Sequence, residues 1–150
     1  MECKITSRTV NDTMELAQNI EAEKFPGMII CLDGELGSGK TVFVKGFAEA
    51  LQIEENITSP TFNIIKEYLT GEIPLYHMDV YRLENDDRSI DFNNYFNGNG
   101  ISIIEWSELI EDSLPDERLD IKFKVIDENK RIIKLIPHGN KYEDIVNYIS

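Results

Sequence analysis

Apolar and polar residues change their spacing repeatedly along this chain, and the changes mark alternating strands and helices. The segment CKITS at residues 3–7 predicts a first strand. Apolar residues then recur at helical spacing from Met14 to Ile20, with Asn11 or Asp12 expected as the N-cap. Met28 to Leu32 is a continuous apolar run, which is typical of a strand buried on both faces of a parallel sheet.

The rest of the chain continues this alternation. The pattern predicts strands at residues 63–69, 74–83, 101–106, 119–127 and 131–136, and helices at residues 40–51, 107–114 and 141–150. We therefore expect an α/β fold, a P-loop NTPase-like sandwich whose central sheet is mostly parallel with antiparallel additions. Because no repeat or low-complexity linker interrupts the chain, residues 1–150 are predicted to form a single domain.

The turn between the buried strand and the following helix carries the strongest chemical signal. Its sequence, GELGSGKT, satisfies the P-loop pattern G-x-x-x-x-G-K-[ST] in the strand–loop–helix context that the pattern requires. Glycines let backbone N–H groups curl around phosphate oxygens at the start of the helix. The predicted nucleotide-binding residues of this loop are Glu35, Leu36, Gly37, Ser38, Gly39, Lys40 and Thr41. Lys40 is expected to reach the β- and γ-phosphates of a nucleotide, and Thr41 to offer its hydroxyl to Mg²⁺.

Two carboxylates at predicted strand ends are candidates for the catalytic and metal-binding groups. Asp79 ends the run LYHMD, and Glu105 ends the run ISIIE. Ligands bind at the carboxyl ends of parallel strands, so both residues are candidates to hold Mg²⁺ or to place water. Spacing does not decide which acid does which.

Four further residues have both a functional and a purely structural interpretation. Thr61 in TSPTF follows the loop helix, where nucleotide switches often carry a threonine, although on pattern alone an ordinary Ser-Pro turn fits better. Trp106 follows Glu105 directly and could line the site or lie in the core. His77 shares a strand face with Asp79 but as a lone histidine is more typical of packing. Arg82 could pair with phosphate or with a surface acid.

Composition restricts the possible partners. The chain has 15 basic and 28 acidic residues, a net charge of −13, so most of its surface repels a polyanion. We expect any contact with RNA to run through a protein partner.

The apolar runs are too short for a membrane span and the start of the chain lacks a signal-peptide pattern, which predicts a cytoplasmic protein with no membrane contact. Cys3 and Cys31 are far apart and predict free thiols.

Four motifs occur in the same order and at about the same spacing as in a known family. GELGSGKT, SPTF, HMDVYRL and IIEW resemble the TsaE (YjeE) family of bacterial ATPases that act in the biosynthesis of tRNA threonylcarbamoyladenosine. The resemblance covers nearly the whole chain. The family pattern usually has a proline after the Glu-Trp pair, where this chain has Ser107.

The resemblance implies a small ATPase that uses ATP and Mg²⁺ and works with two protein partners, TsaB and TsaD. It implies that the partners supply the carbamoyl-transfer chemistry and most contact with tRNA. By motif, Thr41, Asp79 and Glu105 resemble the metal and catalytic groups, Thr61 the switch threonine, and Trp106 part of the nucleotide site.

Other classes of P-loop protein fit less well. A GTPase would carry D-x-x-G and N-K-x-D motifs; the first is absent and residues 140–143 only approximate the second. A small-molecule kinase would need several arginines around the phosphate, and the arginines here are few and scattered. A module that binds ATP without turnover stays open, because the placement of water depends on geometry that a sequence does not contain.

Overall fold

The computed structural model describes residues 1–58, 64–81 and 92–150. The strands are β1 (Cys3–Ser7), β2 (Ile29–Gly34), β3 (Ile65–Tyr68), β4 (Leu75–Asp79), β5 (Ile101–Glu105), β6 (Arg118–Val125) and β7 (Arg131–His138). The helices are α1 (Val10–Glu21), α2 (Lys40–Ala50), α3 (Asn93–Phe96) and α4 (Asn140–Ile149), and a 3-10 helix spans Ser107–Ser113.

The seven strands form one sheet in the order β1-β7-β6-β2-β5-β4-β3. The centre is parallel, because β2 pairs with β5 and β6, and β4 pairs with β5, all in the same direction. Antiparallel pairs β1–β7, β6–β7 and β3–β4 extend it on both sides. The predicted α/β fold with a parallel centre and antiparallel additions is confirmed. The carboxyl ends of β2, β4 and β5 consequently meet at one edge.

The N-cap predicted for the first helix is wrong. Helix α1 begins at Val10, and its N-cap is Thr9, which lies two residues before Asn11 and three before Asp12. The backbone of Thr9 is extended, and its Oγ1 accepts a hydrogen bond from the N–H of Asp12 at 3.0 Å. The carboxylate of Asp12 instead accepts the N–H of Arg8 at 2.8 Å. A hydroxyl therefore caps the helix, and the acid holds the segment that leads into it.

The sheet separates two clusters of buried apolar residues. The larger lies between one face of the sheet and helices α1, α2 and α4, and includes Phe43 and Phe47. The smaller lies on the opposite face beneath α3 and the 3-10 helix, and includes Cys31 and Ile104. Both β2 and β5 are buried on both faces, which is why their sequences are continuous apolar runs.

Helix α4 supports the start of the strand that leads to the glycine-rich loop. The Tyr142 hydroxyl accepts a hydrogen bond from the Ile29 N–H at 2.9 Å, and the Tyr142 ring packs edge-on against Phe25. Burial raises the pKa of Tyr142 to about 12, so the hydroxyl stays protonated at neutral pH.

Two further sequence expectations concern the cysteines and membrane-spanning segments. The thiols of Cys3 and Cys31 are both free, as predicted, with Cys31 buried and Cys3 half-buried. In the described part of the chain, we find no helix with the length and apolar character needed to cross a membrane.

Helices α1 and α2 pack closely because a glycine lies at their contact. A Cβ atom on Gly46 would lie 2.8 Å from the Cα atom and 2.9 Å from the carbonyl oxygen of Met14. Both obstacles are backbone atoms, which cannot move aside as the end of a flexible side chain can. Gly46 thus allows α2 to lie against α1 and fixes its position behind the loop.

We expect Gly46→Ala to destabilise the protein by about 1–3 kcal/mol through overpacking. Alanine in an unobstructed helix would instead stabilise it by about 0.5–1 kcal/mol. Denaturant unfolding measures the change, and Lys45→Ala on the exposed side of α2 is the matched control. An unchanged or higher stability of Gly46→Ala would contradict close packing of the helices at this point.

Candidate functional site

The glycine-rich loop begins where β2 ends, at a position without room for a side chain. A Cβ atom on Gly34 would lie 2.7 Å from Ser38 Oγ and 2.8 Å from the carbonyl oxygen of Phe123. The chain must therefore be glycine here to turn from the sheet into the loop. This close approach brings the loop against the end of β6, the parallel neighbour of β2.

The loop itself has the backbone geometry of an anion cradle. Gly37 and Gly39 have positive φ angles of 79° and 113°, a region that glycine adopts readily. The Ser38 N–H donates to the Glu35 carbonyl at 3.1 Å and closes a turn, while Leu36 at its tip is 89% exposed. The loop leads directly into the start of α2, where the positive end of the helix dipole favours an anion. Among the described residues, Ser38 Oγ is buried with no hydrogen-bond partner. An anion with several acceptor oxygens fits this arrangement.

Lys40, the first residue of α2, folds back over the loop. Its ammonium group donates to the Gly34 carbonyl at 2.6 Å and lies 3.5 Å from the centre of the Trp106 ring. The residue is only 4% exposed. Burial lowers the pKa of Lys40, and the carboxylates of Glu105 and Asp79 oppose that shift. The site therefore holds a largely desolvated cation beside acidic groups.

Asp79 and Glu105 lie side by side at the ends of β4 and β5. They are register partners, and Glu105 is in turn the register partner of Leu32 in β2. Burial raises the pKa of Asp79, and the Glu105 carboxylate raises it further, whereas the Tyr81 N–H that Asp79 accepts at 3.0 Å lowers it. The sheet thus brings together two acids that lie far apart in the sequence.

Glu105 is buried and has a histidine partner. One of its carboxylate oxygens, Oε2, lies 2.5 Å from Nε2 of His77, and the two residues are 3% and 0% exposed. His77 precedes Asp79 by two residues on β4, so both side chains lie on the same face of the sheet.

A third carboxylate holds the segment that follows Glu105. Asp33, next to last in β2, accepts the Ser107 hydroxyl at 2.5 Å and the Glu108 N–H at 3.1 Å. Trp106, between Glu105 and Ser107, has a positive φ of 61°, and its backbone N–H donates to the Leu32 carbonyl at 2.9 Å. Tryptophan rarely adopts this conformation, so these bonds maintain a costly backbone geometry that keeps its ring over Lys40.

A cavity of about 240 Å³ adjoins the other side of the loop. The loop, the start of α1 and the β6–β7 turn form its walls, and both Arg8 and Arg131 line it. One guanidinium N–H of Arg131 lies 3.4 Å from the Gly37 carbonyl oxygen. The cavity therefore shares a wall with the glycine-rich loop.

The structure brings most of the predicted site residues to one edge of the sheet. The loop from Glu35 to Thr41, Asp79, Glu105 and Trp106 all lie there, and Thr41 is the second residue of α2. Thr61 and Arg82 lie outside the described residues, so their roles stay predictions.

Sequence reasoning missed Asp33 and treated His77 as a packing residue. Asp33 could have been found, because it also stands at the carboxyl end of a buried strand. Within the described ranges, no three His, Cys, Asp or Glu side chains cluster as a metal site. A Mg²⁺ ion that takes other ligands from a hydroxyl, phosphates and water needs no such cluster.

Comparisons with known proteins agree with one another. A family model described as "Threonylcarbamoyl adenosine biosynthesis protein TsaE" matches residues 7–133. The tRNA threonylcarbamoyladenosine biosynthesis protein TsaE of Bacillus subtilis is 46% identical over 145 residues, which cover 95% of this chain and 92% of the relative. The protein of the same name from Aquifex aeolicus is 40% identical over 126 residues, covering 83% of this chain and 88% of the relative.

A solved structure is similar over nearly the whole chain. The crystal structure of Bacillus subtilis YdiB superposes with a TM-score of 0.87 at 40% identity, covering 99% of this chain and 94% of that one. This agreement confirms the predicted P-loop NTPase-like fold.

The raised pKa of Asp79 predicts that its charge costs stability. Above its raised pKa, Asp79 is ionised in the folded protein, and the burial of that charge lowers the free energy of unfolding. This loss of stability disappears as the pH falls towards the ordinary pKa of 3.8. We therefore expect Asp79→Asn to raise the midpoint of thermal unfolding at about pH 8, with a smaller gain at about pH 5. Asparagine can still accept the Tyr81 N–H.

Asp127→Asn is the matched control with the opposite sign. The N–H groups of Asn129 and Lys130 lower the pKa of this exposed carboxyl, so its charge stabilises the fold and its removal should lower the midpoint. A lower midpoint for Asp79→Asn at both pH values would contradict a desolvation penalty at Asp79.

Proposed function

Because this chain belongs to the TsaE family of threonylcarbamoyladenosine biosynthesis proteins, we propose that it is a P-loop ATPase serving that modification of tRNA. It binds and hydrolyses MgATP in a complex with TsaB and TsaD. The observation that carries the proposal is the buried Lys40 ammonium group, held at the glycine-rich loop beside two strand-end carboxylates.

The loop and Lys40 are proposed to bind the phosphates. Backbone N–H groups of the glycine-rich loop surround the anion, and the start of α2 adds its positive dipole end. The Lys40 ammonium group would leave the Gly34 carbonyl and the Trp106 ring and bind phosphate oxygens. Its hydrogen bonds to charged phosphate oxygens would be stronger than the bond to a neutral carbonyl. The buried Ser38 hydroxyl, which has no partner among the described residues, is a further donor facing the loop.

The order of the strands suggests different roles for Glu105 and Asp79. Glu105 is one strand away from the loop strand β2 and Asp79 is two strands away. We therefore assign Glu105, with the Thr41 hydroxyl, to the Mg²⁺ shell, and Asp79 to the positioning of water. Mg²⁺, when bound, neutralises charge on the phosphate oxygens. Asp79 is the more exposed acid, and its raised pKa makes it a better proton acceptor than an ordinary carboxylate.

The cavity beside the loop is the proposed site of the nucleoside. It lies against Gly37, on the far side of the loop from Asp79 and Glu105, and the residues that line it include Thr9, Asn129 and Arg131. A nucleotide whose phosphates lie in the cradle could extend its sugar and base into this space. ATP is preferred over GTP in our proposal because the N-K-x-D motif of GTPases is incomplete here.

The proposed partners follow from the family and agree with the charge of the chain. A protein of net charge −13 is a poor direct ligand for tRNA, so TsaB and TsaD are expected to make most of the contact with it. Nucleotide binding and hydrolysis would change how this chain engages those partners.

Lys40→Ala should remove most of the stabilisation that MgATP confers. A ligand at 100 times its Kd stabilises a protein by about 2.7 kcal/mol, which is about 5–10 °C in Tm for a chain of this size. We expect this shift in the wild type and in Lys45→Ala, an exposed change on the same helix. An equal shift in Lys40→Ala would show that Lys40 contributes little to binding.

Hydrolysis tests the proposed activity directly. We expect slow release of phosphate from ATP, faster release when TsaB and TsaD are added, and much less release from GTP. Glu105→Gln and Asp79→Asn should each lower the rate by at least about 100-fold while nucleotide-dependent stabilisation persists. If nucleotide binds but no hydrolysis occurs with or without the partners, the protein is a nucleotide-binding module instead.

A further inference from the structure

His77 has an environment that packing does not explain. It lies in the middle of β4 with no exposed surface, between neighbours in β3 and β5. Its Nε2 atom is 2.5 Å from Oε2 of Glu105, also in the sheet interior. Its other nitrogen, Nδ1, is buried and has no hydrogen-bond partner among the described residues. An apolar side chain would fill this place without leaving a buried polar atom unpaired.

The proposed role of Glu105 determines where the ring carries its proton. A carboxylate that binds Mg²⁺ is ionised and only accepts hydrogen bonds, so with Glu105 in that role the ring donates from Nε2. In the neutral ring, Nδ1 is then the bare nitrogen, which leaves a lone pair rather than an N–H group without a partner. His77 is therefore assigned as the Nε2–H tautomer.

The donated bond restrains a flexible side chain. A glutamate has three rotatable side-chain bonds, and a fixed hydrogen bond to one oxygen limits the positions of the other. Catalytic and metal-binding groups depend on such restraint, and loss of a supporting hydrogen bond typically costs 10–100-fold in metal affinity or activity.

We propose that His77 is a positioning residue that holds Glu105 in its working orientation through the Nε2–H bond. The inference rests on the proposed function of Glu105 and extends it to a residue that would not touch the nucleotide. Its alternative is that the pair only supports the fold, in which case its loss would alter stability without a selective effect on turnover.

Two variants of His77 separate these roles. His77→Gln keeps an N–H donor near the position of Nε2, whereas His77→Phe keeps a ring without any donor. We expect His77→Phe to lower kcat by about 10–100-fold with little change in KM for MgATP. His77→Gln should recover most of that loss. Ser102→Ala is the matched control, because Ser102 is equally buried, on the neighbouring β5, and its hydroxyl also lacks a described partner.

The kinetic result decides the inference when the wild type hydrolyses ATP. Wild-type kcat in folded His77→Phe would overturn it, as would a folded His77→Gln that is as impaired as His77→Phe. A matching loss in Ser102→Ala would also overturn it, since the effect would then be one of general core disturbance.

Nitrogen NMR of the His77 ring gives a readout that needs neither turnover nor nucleotide. We expect the proton on Nε2 in the wild type, and a marked shift of its resonance in Glu105→Gln. A proton on Nδ1 instead, or no response to Glu105→Gln, would overturn the inference even if both His77 variants fail to fold. If the wild type does not hydrolyse ATP but the ring shows the expected tautomer and response, the proposed function fails while the His77–Glu105 contact stands.

Discussion

The buried ammonium group of Lys40 is the charge on which the candidate site depends. It is held by the Gly34 carbonyl and the Trp106 ring, and a desolvated cation is costly unless opposite charges lie near it. Glu105 and Asp79 provide those charges from the ends of two neighbouring strands. The parallel order β2-β5-β4 is what brings these ends to one edge, so sheet topology makes the buried charge tolerable.

Several residues around the Lys40 ammonium group adopt arrangements that lower the stability of the fold. Trp106 adopts a backbone conformation that a bulky residue rarely occupies, and Asp33 holds the next segment in place through Ser107. Asp79 is ionised against a desolvation penalty, and His77 leaves a buried nitrogen without a described partner. Such costs concentrate where a protein needs a fixed arrangement of polar groups, and here they all lie beside one loop.

The distribution of charge supports an anionic ligand at this loop in spite of the net charge of −13. An acidic chain repels nucleotides and RNA alike over most of its surface. Lys40 lies on one side of the loop, and Arg8 and Arg131 line the cavity on the other. These cations lie on the two sides of the loop where, under the proposed function, the phosphates and the nucleoside bind.

The sequence by itself predicted the seven strands, helices α1, α2 and α4 and the glycine-rich loop, but not the short helix α3. The longer elements were predictable because an element that buries one face repeats its apolar residues with the period of a helix or a strand. The sequence also placed Asp79 and Glu105 at strand ends. Only the tertiary structure decided that His77 meets Glu105 and that Ser107 meets Asp33. Periodicity tells which face of a strand is buried, whereas the meeting of two buried polar groups depends on which strands are neighbours and in what register they pair.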